Sequence, residues 1–355
     1  MVGTLPDGGK IESIVLSDSS GMQARILTLG AALHSLEVPD RDGKRADVVL
    51  GDKSLNATLS RPQYFGTIVG RFANRLAKGK FTLDGRAYDV PVNDGPNSLH
   101  GGKQGFDKVL WTVVTSKPNS VTLRYVSPDG DQGFPGKLTV DATYALEGDG
   151  KLAIEYSAKT DKPTIVNLSN HTYWNLSGEG AGTAMDHELT INADAYTPVD
   201  ATLIPTGAIT QVEGTVFDFR KAKPIGLDLR NVSAEPQLLL GLGYDHNWVV
   251  SRSVSKQPRE VARVHDPRTG RVMTLTSNQP GLQFYSGNFL DGKTVGKGGR
   301  LYRQGDAFVL EPQLFPDTPN QQAFDPSAAR LVKGKTYVNR MVYQFSTDKG
   351  ATARD

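Results

Sequence analysis

Cysteine is absent from the 355 residues, which removes disulfides, thiolate nucleophiles and Cys-ligated zinc or iron–sulfur sites together. Only His, Asp and Glu remain as metal ligands, and any catalysis must run on oxygen and nitrogen groups. An excess of charge is also lacking: 40 Lys and Arg stand against 38 Asp and Glu, a formal net charge of +2, with no long basic block. Nucleic acid and anionic membranes are therefore not expected partners. No apolar run approaches the roughly 18 residues of a membrane span, and Met1 to Lys10 lacks the basic-then-apolar order of an export signal. The expected setting is the cytoplasm, or the periplasm if a signal has been trimmed away. There is no Walker phosphate loop, no Gly-x-Ser-x-Gly elbow and no dinucleotide fingerprint.

Long amphipathic helical patterns are scarce as well, and 38 Gly with 20 Pro interrupt the chain too often to allow many. What is present is a period of two. Leu138, Val140, Ala142, Tyr144 and Leu146 alternate with more polar residues, and after Gly148-Asp149-Gly150 the alternation resumes at Leu152, Ile154, Tyr156 and Ala158, which predicts a β-hairpin. A second hairpin is expected from Phe81 to Val90 around Asp84-Gly85, a dipeptide suited to positive φ. Further strands are predicted over 24–29, 33–38, 46–50, 121–126, 187–192, 272–276, 283–285, 307–311 and 337–345. The segments 51–62, 177–186 and 291–305 read as loops. Strands recur over the whole length without a linker, so residues 1–355 are expected to form one all-β domain, a large antiparallel β-sandwich.

Chemistry concentrates in a few polar runs. His171, in Asn170-His171-Thr172-Tyr173-Trp174-Asn175, has an imidazole that can hold or release a proton near neutrality; the plainer reading is a strand histidine bonded to a carbonyl. His100 precedes Gly101-Gly102, a pair that either lets backbone approach a ligand or simply makes a turn. Glu311 ends the apolar run Phe308-Val309-Leu310 and precedes Pro312, so it is expected either to pair with an arginine or to act as a base. Asn74 and Arg75 could bind hydroxyls or hold a structural ion pair. Asp245 could accept from a polyol or form an Asx turn, and Gln283 could recognise a hydroxyl or face solvent. His34, His187 and His265 read as structural or exposed. A metal held by His100, His171 and a carboxylate is allowed by residue type but not by any short ligand spacing.

Taken in order, these runs resemble the aldose 1-epimerase family, the galactose mutarotases, from about Leu5 to about Ser346. The resemblance rests on Gly70-Arg71-Phe72-Ala73-Asn74-Arg75, Asn97-Ser98-Leu99-His100-Gly101-Gly102, Asn170-His171-Thr172-Tyr173-Trp174-Asn175-Leu176, Gly243-Tyr244-Asp245-His246-Asn247, Gln283-Phe284-Tyr285-Ser286-Gly287-Asn288-Phe289 and Glu311-Pro312-Gln313. It implies Glu311 as catalytic base, His171 as catalytic acid and His100 as a second active-site histidine. It also implies Asn74, Arg75, Asp245 and Gln283 as sugar contacts, with Tyr173 beside them. Two departures from the family pattern, Trp174 where Phe is common and Pro312 after the base, are expected to affect the wall of the sugar pocket and no catalytic group. The implied partner is a small aldose such as galactose or glucose, with no cofactor and no metal, in a monomer or homodimer. A nearby carboxylate is expected to raise the pKa of His171, and Glu311 and His171 are expected on opposite sides of the sugar. A non-catalytic sugar-binding protein and a hexose-phosphate epimerase using Arg71 with Arg75 are the alternatives.

Overall fold

A computed structural model describes residues 3–60, 63–233 and 235–349. Three antiparallel sheets carry most of the chain. The largest has nine strands in the order Thr112–Lys117, Ser120–Ser127, Leu138–Leu146, Lys151–Thr160, Tyr337–Thr347, Arg271–Ser277, Arg259–His265, Glu188–Ile191 and Lys223–Pro224. The predicted hairpin pairs Leu138 with Thr160 through Leu146 with Leu152, and its alternating burial follows the period of two. The second hairpin pairs Lys80–Leu83 with Arg86–Asp89, with both Asp84 and Gly85 at positive φ as a two-residue turn of this kind requires.

A six-stranded sheet runs Tyr173–Trp174, Phe308–Gln313, Gly281–Tyr285, Asp245–Val249, Ala195–Thr197 and Thr210–Gln211. One face of it carries Trp174, Phe308, Leu310, Phe284, Leu282 and Trp248, all buried in the main hydrophobic cluster. Trp174 packs on Tyr343 and Phe345 of the nine-stranded sheet, with ring centroids 4.9 and 5.8 Å apart, so these two sheets meet face to face across the core. The other face points away from that core and carries the polar residues described below. A four-stranded sheet, Ser13–Ser17, Gln23–Leu27, Leu33–Pro39 and Arg45–Asp47, contributes Leu16, Ala24, Ile26, Leu33 and Leu36 to the same cluster.

The all-β expectation holds: the only α-helices among the described residues are Leu55–Ser60 and Gln237–Gly241. None is long and apolar enough to cross a membrane. Two of the three segments read as loops contain regular structure. Leu55–Ser60 forms a short helix, and Asp291–Val295 pairs with Leu301–Arg303 as a hairpin; Arg61 and Pro62 lie outside the described residues. Glycines at 292, 296, 298 and 299 mask that hairpin in the sequence, because a period of two has too few side chains to read there.

Candidate functional site

A row of polar side chains lines the second face of the six-stranded sheet. Register sets Asn247 opposite Gln283 and Gln283 opposite Glu311. One step along, Asp245 lies opposite Tyr285, Tyr285 opposite Val309, and Val309 opposite Tyr173. Because side chains two apart share a face, Asp245, Gln283, Tyr173 and Glu311 project together, whereas His246 and Trp248 project into the core.

His171 reaches this face from a different element. The run that holds it is split between two pairings: Ser169–Asn170 pairs with Ile68–Val69, and Tyr173–Trp174 pairs with Phe308–Val309. His171 sits where the chain crosses from one pairing to the other, anchored by its N–H to Thr67 O at 2.9 Å and by Gly66 N–H to its own carbonyl at 3.0 Å.

His100 and Asn74 come from a third region, where Arg75–Leu76 pairs with Ser98–Leu99. Both occupy the left-handed region, at φ 53° and 62°, and each holds the other. The His100 N–H donates to Asn74 O at 3.0 Å, and the Asn74 N–H donates to His100 Nδ1 at 3.1 Å. Gly101, read as a possible approach to ligand, instead gives room to backbone: a Cβ there would overlap the Gly70 carbonyl. The bond to Nδ1 has a chemical consequence. A neutral ring accepting at Nδ1 carries its proton on Nε2, so His100 offers the cleft a donor.

The three groups converge. Ligating atoms of His100, His171 and Glu311 all lie within 4.8 Å of one another, at side chains 4, 6 and 2% exposed. Two histidines and a carboxylate make a donor set that zinc uses, but His100 fits that role poorly, since Nδ1 is occupied and Nε2 bears hydrogen.

Around them the polar contacts form a chain. Arg75 Nε donates to Asp94 at 2.7 Å, Arg75 Nη1 lies 3.5 Å from Asp245, and Gln283 Nε2 donates to Asp245 Oδ1 at 2.7 Å. The two carboxylates hold the Arg75 guanidinium firmly charged against its burial. Gln283 Oε1, Glu311 Oε2 and His171 Nδ1 remain buried without a protein partner, which is the state expected of groups reserved for a ligand.

Electrostatics reverses one expectation. Burial pushes the His171 imidazole down to about 4 rather than a carboxylate raising it. Burial, then the neighbouring His171, Arg75 and Lys108, hold His100 well below the usual range. Glu311 is pushed well above the usual carboxylate range by burial and by Asp245, with Arg75 opposing. Burial outweighs attraction at all three groups, and each favours its neutral form. The expected placement on opposite sides of a sugar also changes: a separation within 4.8 Å leaves no room for a ring between Glu311 and His171, so both must address one edge of it.

Every residue singled out as a site candidate lies in or beside this cleft, whereas Arg71 does not. Its guanidinium donates to the Pro135, Gly136 and Pro128 carbonyls and to Ser127, away from Arg75. Sequence reasoning misses Asp94, which pairs with Arg75, and Tyr64, whose ring centroid lies 4.7 Å from His100 and 5.5 Å from His171. Tyr64 follows Gln63 in an aperiodic stretch, and its φ of 61° is unusual for an aromatic residue; no pattern in the sequence signals it. A separate cavity of about 630 Å³ lies beyond Tyr64, lined by Leu27, Leu29, Leu55 and Asp52 among others and by none of His100, His171 or Glu311.

Comparison with known proteins agrees with the geometry. Residues 12–344 match the family model described as aldose 1-epimerase. The chain is 46% identical to galactose mutarotase of Rattus norvegicus over 344 residues, 97% of each chain, and 36% identical to aldose 1-epimerase of Escherichia coli K12, over 96% of each. Among solved structures, an aldose epimerase homologue from C. elegans superposes with a TM-score of 0.86 at 34% identity, covering 95% of this chain and 99% of that one. Galactose 1-epimerase from Lactobacillus acidophilus superposes at 0.84 with 28% identity, covering 98% of each. With a family model spanning most of its length and relatives of this similarity, the chain belongs to the aldose 1-epimerase family.

Proposed function

We propose that the protein is a mutarotase that interconverts the α and β anomers of free aldohexoses such as galactose and glucose, acting as a single domain. One observation carries the reading: Glu311, His171 and His100 converge within 4.8 Å in a buried cleft whose rim, Arg75, Asp245 and Gln283, is built to hydrogen-bond hydroxyls. Anomerisation needs the C1 hydroxyl deprotonated and the ring oxygen protonated, so the ring opens to an aldehyde. These two oxygens share one carbon, which suits two groups that address a single edge. Ionised Glu311 takes the hydroxyl proton and protonated His171 gives one to the ring oxygen. Rotation about C1–C2 presents the other face of the aldehyde, and the same groups in swapped roles close the ring. His100 donates from Nε2 to a sugar oxygen, while Asn74, Arg75, Asp245 and Gln283 hold hydroxyls, with Tyr173 as part of the wall. No step calls for a cofactor or metal.

The active pair, Glu311 ionised and His171 protonated, holds the same single proton as the neutral pair that burial favours. Substrate binding has only to move that proton across the cleft, and the pair's titration is joint. A sugar phosphate is less suited, since Arg75 is already balanced by Asp94 and Asp245 and Arg71 is committed elsewhere. The test is polarimetry on fresh α-galactose and α-glucose: the protein should speed the approach to equilibrium rotation. If sugar binds by calorimetry while the rotation relaxes at the uncatalysed rate, the protein is a sugar-binding module on the same fold.

A further inference from the structure

Beside Glu311 the polar face continues past the groups that the reaction uses. Gly281 and Gln313 are paired one step along from Gln283 and Glu311, so Asn247, Gln283, Glu311, Gly281 and Gln313 form one patch on one face. Gly281 leaves room in it that the Asn247 amide and the Phe315 ring fill. A Cβ there would overlap Asn247 Oδ1, so the Asn247 amide leans over the bare glycine, toward the strand that carries Gln313 and Glu311. Both side-chain atoms of Asn247, both of Gln313, Gln283 Oε1 and Glu311 Oε2 are fully buried with no protein hydrogen-bond partner. Six such atoms in one patch are costly when left unpaired. Each amide can both donate and accept, which suits Glu311 on the same face, a group that changes between acceptor and donor during turnover.

We infer that Asn247 and Gln313 are positioning residues for Glu311: their unpartnered amides, on the same face as the carboxylate, hold a water that hydrogen-bonds Glu311 Oε2 both as carboxylate and as carboxylic acid. This rests on the mutarotase reading and explains how a buried base stays usable. Donation from that water, oriented by the amides, favours the carboxylate and so favours the charged pair over the neutral one. The other groups facing Glu311 are Asp245 from the next strand but one, Arg75, His100 and His171, Tyr173 on the adjoining strand, and Tyr343 from the nine-stranded sheet. Only Arg75 among the fixed charges favours ionisation, and it is shared with two other carboxylates.

The test uses Asn247→Leu and Gln313→Met, which keep side-chain bulk and remove the amides. Two readouts are needed: polarimetric kcat and KM against pH, and the titration of the Glu311 carboxyl carbon by 13C NMR, assigned by its loss in Glu311→Gln. Each variant should raise the Glu311 midpoint by about one pH unit, lower kcat about tenfold, leave KM within about twofold and leave the melting temperature unchanged or higher. The tenfold follows from the pH unit, because the same change reduces the charged pair tenfold. An unmoved Glu311 midpoint overturns the proposal, as does a raised KM at constant kcat, which would put the amides on the sugar. A lower melting temperature without a moved midpoint also overturns it and makes them packing groups. The NMR titration does not require turnover, so a wild-type protein that fails to mutarotate overturns the proposed function and leaves this inference separately testable.

Discussion

The strand Asp245–Val249 has two sides that differ in almost every physical respect although their residues alternate. His246 and Trp248 face the core, where Trp248 lies among Phe217, Phe219, Tyr244 and Phe284 with ring centroids 5.6 to 6.2 Å apart and donates its indole N–H to Phe217 O. Asp245 and Asn247 face the cleft, where polar atoms outnumber their protein partners. The core face stabilises the protein through area and packing, roughly 25 cal/mol per Å² of apolar surface removed from water. The cleft face stores unmet hydrogen-bonding capacity, which destabilises the empty protein and is available to a ligand. Adjacent residues therefore belong to opposite sides of a trade between stability and function.

The largest effects should separate the two faces cleanly. Glu311→Gln and His171→Asn are expected to lower kcat by about 10² to 10⁴, the range for loss of a general acid or base, with little change in melting temperature. Near-normal polarimetric rates in both variants would remove them from the mechanism. On the core face, Trp248→Ala should cost about 3–5 kcal/mol of stability, read by denaturant unfolding, while kcat per folded molecule stays within a few fold. If that variant were fully stable yet inactive, the division between the faces would be wrong.

Smaller effects test the rim. Arg75→Lys keeps the charge but loses the fork that spans Asp94 and Asp245, and should raise KM about tenfold with a lesser change in kcat. The pH profile of kcat should be a bell. Its acid limb lies near the depressed His171 value of about 4, where gain of a second proton removes the base. Its alkaline limb marks loss of the shared proton, set by the raised Glu311. An acid limb in the ordinary histidine range would mean that burial does not depress the His171 imidazole.

How much of this is legible in the sequence follows from the same division. The hairpin Leu138 to Ala158 can be read because its strands alternate between buried and half-buried positions. Asp245–Val249 cannot, because all five residues are buried and both of its faces are covered, so its alternation is one of chemistry rather than exposure. The candidate residues are visible as polar interruptions of apolar runs, and the family resemblance gives them roles. Their convergence is not visible: His171 arrives at a crossing between two sheets, and His100 on a left-handed turn held by Asn74. Neither has a periodic signature. The pKa directions escape the sequence for a related reason, since residue types suggest the charge pair but say nothing of how deeply it is buried.

The smallest predicted effect asks whether the two faces share anything. Of the six histidines, His34, His171 and His187 are held down to about 4 and His246 to about 3, all by burial, with His100 also well below the ordinary value. Each binds its proton more weakly folded than unfolded. The unfolded chain therefore takes up protons first as pH falls below about 6.5, and stability drains away between there and about 4. Each such group contributes to that loss at about 1.4 kcal/mol for every pH unit that separates its folded from its unfolded pKa. His246 faces the core, where its Nδ1 accepts the Asp245 N–H at 3.1 Å, while His171 faces the cleft. His246→Asn keeps an acceptor and removes the titration, as does His171→Asn. Both should flatten the loss of unfolding free energy between pH 6.5 and 4 by a similar amount, but only His171→Asn should also cut turnover. If His246→Asn left the acid sensitivity intact while His171→Asn removed it, the burial of the core-face imidazole would be contributing nothing, and acid lability would belong to the site alone.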